Sequence, residues 1–132
     1  MRNQLNVKMD ITSNIPFYQQ LTQQLLLAIA TGNLQHGDQL PSIRDLAEQT
    51  NLNLHTVHKS YKELQKKGVI TIKPRSKAFL INENATETQN ANLSQIAMKL
   101  EQIIIEACVL GIGEQQLKQV FQEGVGKYYI ED

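Results

Sequence analysis

The chain has 132 residues, 41% of them hydrophobic and 20% charged, which is enough for one compact domain plus an appendage. No stretch approaches the roughly 18–20 apolar residues of a membrane span, so no membrane partner is expected. The single cysteine, Cys108, excludes an internal disulfide and a multi-cysteine metal site.

The N-terminal stretch MRNQLNVKMDITSN lacks the apolar segment of a secretion signal, and a cytoplasmic protein is expected. Formal net charge is zero, but it is unevenly spread. Residues 1–82 carry ten Lys/Arg and five Asp/Glu, whereas residues 83–132 carry three and eight. Between residues 59 and 77, seven basic side chains stand against one acid, Glu63. A polyanion-facing first part and a second part with another task fit that asymmetry.

Residues 1–13 fit a short strand or a loose arm. Ser13 or Asn14 is placed to cap a first helix with Pro16 in its first turn. Tyr18, Leu21, Leu25, Ala28 and Ile29 then recur at helical spacing, and Gly32 supplies the stop. Gly37-Asp38 reads as a turn. A second, short helix begins around Ser42, where Ser42 and Asp45 approximate a capping box. Ile43, Leu46 and Ala47 form its inner stripe, and Arg44 lies in the first turn on the outer side.

After a short connection over Glu48–Leu52, the stretch Asn53–Lys67 predicts a third helix. Asn53 suits the N-cap and Gly68 the position just past the end. At about 100° per residue, Val57, Tyr61 and Leu64 fall on one side, and His55, His58, Lys59, Lys62 and Lys66 on the other. Two short helices joined by a tight turn, the second polar and basic, form a helix-turn-helix pattern. For the third helix alone, an ordinary solvated lysine face is the favoured reading, and its neighbours supply the case for DNA.

After Gly68 the period changes to two. Residues 69–73 and 77–82 read as a hairpin whose tip, Lys73-Pro74-Arg75-Ser76-Lys77, is basic. The fold class expected is therefore mainly α with a small β-hairpin. Residues 1–82 form a winged helix-turn-helix domain, residues 83–92 a polar linker, and residues 93–132 a helical hairpin. In that last part Leu93, Ile96, Ala97, Leu100, Ile103, Ile104, Ala107 and Leu110 keep i, i+3, i+4, i+7 spacing. Gly111-Ile112-Gly113 breaks the helix, and Leu117, Val120 and Phe121 mark the next. A hairpin of this size cannot cover such a stripe alone, so either the first domain or a second copy covers it. A two-fold dimer through Leu93, Ile96, Leu100, Ile103, Ile104, Ala107, Leu117 and Phe121 is the economical answer. Cys108 reads as a core residue of the longer helix, and Tyr128-Tyr129 as packing residues.

Three strings, Pro16-Phe17-Tyr18-Gln19-Gln20-Leu21, Gly37 to Ala47 (GDQLPSIRDLA) and Asn53 to Leu64 (NLHTVHKSYKEL), together with Gly68-Val69-Ile70, resemble the GntR family of bacterial transcription regulators. The short C-terminal part is similar to the family's YtrA-type branch. The resemblance implies a homodimeric DNA-binding repressor of a nearby operon, often one that includes an ABC transporter, acting on a palindromic operator. It also implies DNA contacts at Arg44, Asn53, His55, Thr56, His58 and the wing tip, Arg75 and Lys77. With the third helix in the major groove, Asn53, His55 and His58 are the candidate base readers, and Thr56, Lys59, Ser60 and Lys62 are expected on phosphates with Arg44, Arg75 and Lys77. For Asn53, capping competes with base reading and is the expected role. The family wing commonly reads basic-Gly-basic-Gly. Here Arg75-Ser76-Lys77-Ala78 lacks both glycines, the residues that reach positive φ most cheaply.

Two other classes of function are weighed. A winged-helix module that binds protein is opposed by the lack of an apolar stripe on the outer side of the third helix. An enzyme is opposed by the lack of a glycine-rich phosphate loop, a nucleophile elbow or paired acids. His55 and His58 lie three apart on one face, but no carboxylate or thiol at ligand spacing accompanies them. No metal and no cofactor are expected. A small-molecule effector is open, with the dimer interface or the seam between domains as its place.

Overall fold

A computed structural model of the chain describes residues 5–82 and 89–129. The element order is α1 (Phe17–Ala30), β1 (Gln39–Leu40), α2 (Ile43–Thr50), α3 (Leu54–Lys66), β2 (Ile70–Ile72), β3 (Phe79–Ile81), α4 (Gln89–Val109) and α5 (Glu114–Tyr128). Two compact units result, one up to residue 88 and the other from Gln89.

In the first unit, residues 5–10 form an extended arm with alternating burial. Leu5, Val7 and Met9 pack against the core. Two glutamines of α1 clip the arm's backbone: Gln24 accepts from the Lys8 N–H at 3.0 Å and donates to the Lys8 carbonyl at 2.6 Å. Gln20 accepts from the Asp10 N–H at 2.8 Å and donates to the Asp10 carbonyl at 3.1 Å. The arm satisfies its polar backbone on side chains instead of a neighbouring strand. Pro16, not Ser13 or Asn14, is the N-cap of α1. The Ser13 hydroxyl is taken by the Ile15 N–H at 3.0 Å, which closes the turn before the helix. Gly32, at φ +86°, takes the chain out of α1 as expected.

The core joins Leu21 and Leu25 of α1, Leu34, Leu40 of β1, Leu46 and Ala47 of α2, Val57, Tyr61 and Leu64 of α3, Ile70 of β2 and Ile81 of β3. The sheet has three strands in the order β1-β3-β2, both pairings antiparallel. The hairpin expected from the sequence is present as β2 and β3, with Thr71 opposite Leu80. The third strand, β1, is only two residues and pairs Gln39 with Leu80 and Leu40 with Phe79. It was not anticipated, because two residues carry no period. Asn82 fastens the end of the hairpin to the end of α3, its side-chain amide donating to the Gly68 carbonyl at 2.8 Å. The His36 ring meets the Asn82 carbonyl from the other side.

The second unit is α4, a turn through Gly111 at φ +80°, and α5. Residues 89–92, assigned above to the linker, are the first turn of α4; residues 83–88 lie outside the described residues. Gln89-Asn90-Ala91-Asn92 contains no glycine or proline, and extending an existing helix gains one hydrogen bond per residue fixed. Neither helix covers much of the other. Ala107 is the one buried residue of α4, and α5 has none. Cys108 is exposed and is not a core residue of this chain.

Candidate nucleic-acid interface

The helix-turn-helix is α2 and α3. The Ser42 hydroxyl caps α2 by accepting the Asp45 N–H at 3.0 Å. Helix α2 runs on through Glu48–Thr50, residues expected in the connection, so the turn is shorter than expected. Asn51 turns the chain at φ 58°, a conformation asparagine tolerates better than most residues. The Leu52 N–H then returns to the Ala47 carbonyl at 3.0 Å. Asn53 caps α3, its Oδ1 accepting the His55 N–H at 2.8 Å. The capping role expected for Asn53 is thus the one its side-chain oxygen fills.

Contacts with α1, with β3 and with the segment before α2 set which face of α3 turns outward. Val57, Ser60, Tyr61 and Leu64 are buried. The Tyr61 ring packs edge-on against Phe79 of β3, centroids 4.8 Å apart. Its hydroxyl donates to the Pro41 carbonyl at 2.8 Å. Burial pushes the Tyr61 phenol well above the ordinary tyrosine range. Against α1, the Ser60 and Thr22 hydroxyls lie 2.8 Å apart. The Thr22 hydroxyl also donates to the Tyr18 carbonyl at 2.7 Å. That uses its single hydrogen, so Ser60 donates to Thr22. Ser60 was expected on a phosphate; it is fully buried and cannot reach one. Its place on the helical wheel, about 40° beyond Leu64 at the edge of the inner stripe, was the available signal.

His55, His58, Lys59 and Lys62 are exposed on the opposite side of α3, and Thr56 is half-buried. The Lys59 ammonium does not extend freely; it sits over the ring of Tyr18 in the first turn of α1, 4.5 Å from the centroid. Tyr18 was expected in the inner stripe and is instead half-exposed beneath it. Glu63, the one acid of this basic segment, pairs with Lys67 at 3.7 Å along α3. Arg44 is exposed on the first turn of α2.

Arg75 and Lys77 are exposed on the loop between β2 and β3. Lys77 donates its N–H to the Lys73 carbonyl at 2.9 Å, and the Lys73 N–H donates to the Ala78 carbonyl at 2.8 Å. The loop closes with Lys77 itself at φ 60°. Positive φ is therefore kept, but by the lysine and not by residues 76 and 78, where the family pattern has glycine. Among the described residues no group of three or more His, Cys, Asp or Glu could hold a metal, and no helix is long and apolar enough to cross a membrane.

A helix-turn-helix packed under α1 and flanked by a small antiparallel sheet, with a polar, basic helix face outward, defines a winged helix-turn-helix protein. Residues 17–80 match the family described as bacterial regulatory proteins, gntR family. Over 118 residues the chain is 35% identical to the HTH-type transcriptional repressor YtrA of Bacillus subtilis (strain 168), spanning 89% of this chain and 90% of that one. Its fold is similar to that of a transcriptional antiterminator from Listeria monocytogenes EGD-e, with TM-score 0.84, 25% identity, and 98% and 96% of the two chains covered. It is also similar to YtrA from Sulfolobus acidocaldarius, a GntR-family transcription factor, with TM-score 0.58, 33% identity, and 72% and 97% covered. The chain belongs to the GntR family of transcription regulators, and its likeness is to the YtrA type. Its relatives regulate transcription and are not enzymes.

Proposed function

We propose that the protein is a homodimeric, cytoplasmic repressor that binds a palindromic operator near its own gene, with an ABC-transporter operon the first candidate target. The observation that carries this is the outward face of α3. His55, His58, Lys59 and Lys62 are exposed while the apolar side of the same helix is buried. In the major groove, His55 and His58 read base edges. Arg44, Thr56, Lys59 and Lys62 hold phosphates on one side, and Arg75 and Lys77 do so from the wing. Asn53 serves mainly as the cap.

The second unit joins two copies. Leu93, Ile96, Leu100, Ile103 and Ile104 of α4 and Phe121 of α5 are exposed in the single chain, and a two-fold partner covers them. Leu117 is half-buried and joins them at the edge. Ala107 is buried within its own chain, where the Ile112 N–H returns to its carbonyl at 3.0 Å, so it is not a partner contact. The two α3 helices then meet half-sites about one turn of DNA apart.

The test is selection of bound fragments from the host genome, followed by footprinting at several salt concentrations and sedimentation of the purified protein. Two symmetric protected half-sites and a dimeric mass are expected. A monomer, or a protein that retains no fragment even at low salt, overturns the proposal.

A further inference from the structure

Among the described residues from 31 to 82, Leu54 is the one large apolar side chain that stands exposed, at 52%. It is the first residue of α3. At 100° per residue it falls between Tyr61, which is buried, and His58, which is exposed. It is not overflow from the core, because Leu52, two residues earlier, already packs there. A lone surface leucine is ordinary; its position is what matters. The first residues of a recognition helix are those that meet base edges, and around Leu54 they are otherwise polar. The major groove offers one apolar feature, the 5-methyl group of thymine.

We propose that Leu54 is a specificity-determining residue that packs on a thymine methyl group in each half-site, beside the hydrogen-bonding contact of His58. This rests on the reading of α3 as the DNA-reading helix. It adds a prediction about sequence: one thymine per half-site is chosen for its methyl group, not for its hydrogen-bonding edge.

The test uses the full-length protein and its selected operator, with each thymine replaced in turn by deoxyuridine. That replacement removes the methyl group and leaves base pairing intact. One position per half-site should weaken binding about fourfold, the worth of one buried methyl group. Replacing both symmetry-related positions should weaken it about fifteenfold by the same reckoning. Leu54→Ser should bind the thymine and deoxyuridine operators equally, while Leu54→Met should retain the preference. The inference is overturned if the wild-type protein binds its operator but tolerates deoxyuridine everywhere, or if Leu54→Ser keeps the full preference. A wild-type protein that binds no DNA would instead overturn the underlying reading of α3, a separate result.

Discussion

Lys77 offers a way to separate what the wing needs for folding from what it needs for binding. Its backbone is left-handed, φ 60°, at the point where its N–H closes the loop onto Lys73. An ordinary L-residue in that conformation costs about 1–2 kcal/mol. Glycine removes the strain but brings roughly 0.5–1 kcal/mol of extra chain entropy to the unfolded state. Lys77→Gly should therefore stabilise the winged unit by about 0.5–1 kcal/mol, or roughly 2–8 °C in Tm for a domain of this size. The same substitution removes one exposed cation from each protomer of the proposed dimer, so the salt dependence of operator binding should flatten by about 1.8. Lys77→Ala is the control: it loses the charge and keeps the strain, so its binding should match the glycine variant and its stability should not rise. Thermal melts and binding titrations across salt measure both. If the glycine variant is no more stable than the alanine variant, the loop is not strained at Lys77 and the reasoning fails.

The hydroxyl pair between α1 and α3 gives an asymmetric result. Thr22→Val strands the buried Ser60 donor and should cost about 1–3 kcal/mol, Ser60→Ala should cost less, and the double variant should be more stable than Thr22→Val alone; a larger cost for Ser60→Ala would reverse the donor assignment. Tyr18→Leu should weaken operator binding only when Lys59 is present, because the ring orients that ammonium; an equal effect in a Lys59→Met background makes Tyr18 merely structural. Tyr61 sets an alkaline limit. Its folded pKa lies above the ordinary value near 10, so above that pH the unfolded state loses the proton first and stability falls by about 1.4 kcal/mol per unit. Below pH 10 this contribution is fully present, and denaturant melts of Tyr61→Phe should lack that alkaline slope. Ile103→Glu on the exposed face of α4 should yield a folded winged unit that sediments as a monomer and binds the operator weakly; a dimer of unchanged affinity would place the interface elsewhere.

What the sequence reveals of this fold is what repeats or punctuates locally. The stripe Val57, Tyr61, Leu64, the caps Ser42 and Asn53, and the glycines at 32 and 68 each act within one or two turns, and each stands where spacing and propensity put it. What it hides depends on a partner far along the chain. Strand β1 exists because Leu40 finds Phe79. Ser60 can be buried because Thr22 supplies an acceptor. Lys59 is placed by a ring on another helix. At the candidate interface, charge made the lysines and histidines of α3 easy to single out. The same criterion passed over Leu54, since an apolar residue beside a core stripe is naturally counted with the core.

Helix α4 shows the same limit in its strongest form. Its apolar period is long and regular, yet in the single chain Leu93, Ile96, Ile103 and Ile104 are each more than half exposed. Cys108, assigned to the core on that period, is exposed as well. Periodicity records that a face is meant to leave water; it carries no information on whether the covering surface lies in the same molecule. For α1 and α3 the cover is internal: Leu21, Leu25, Val57, Tyr61 and Leu64 are buried, Ala28 and Ile29 pack partly buried against the same core, and Tyr18 is half-exposed. For α4 the proposed cover is another copy, and on that proposal the second unit and the dimer form together. Operator affinity would then inherit the concentration dependence of assembly, because a monomer presents one recognition helix where the proposed dimer presents two.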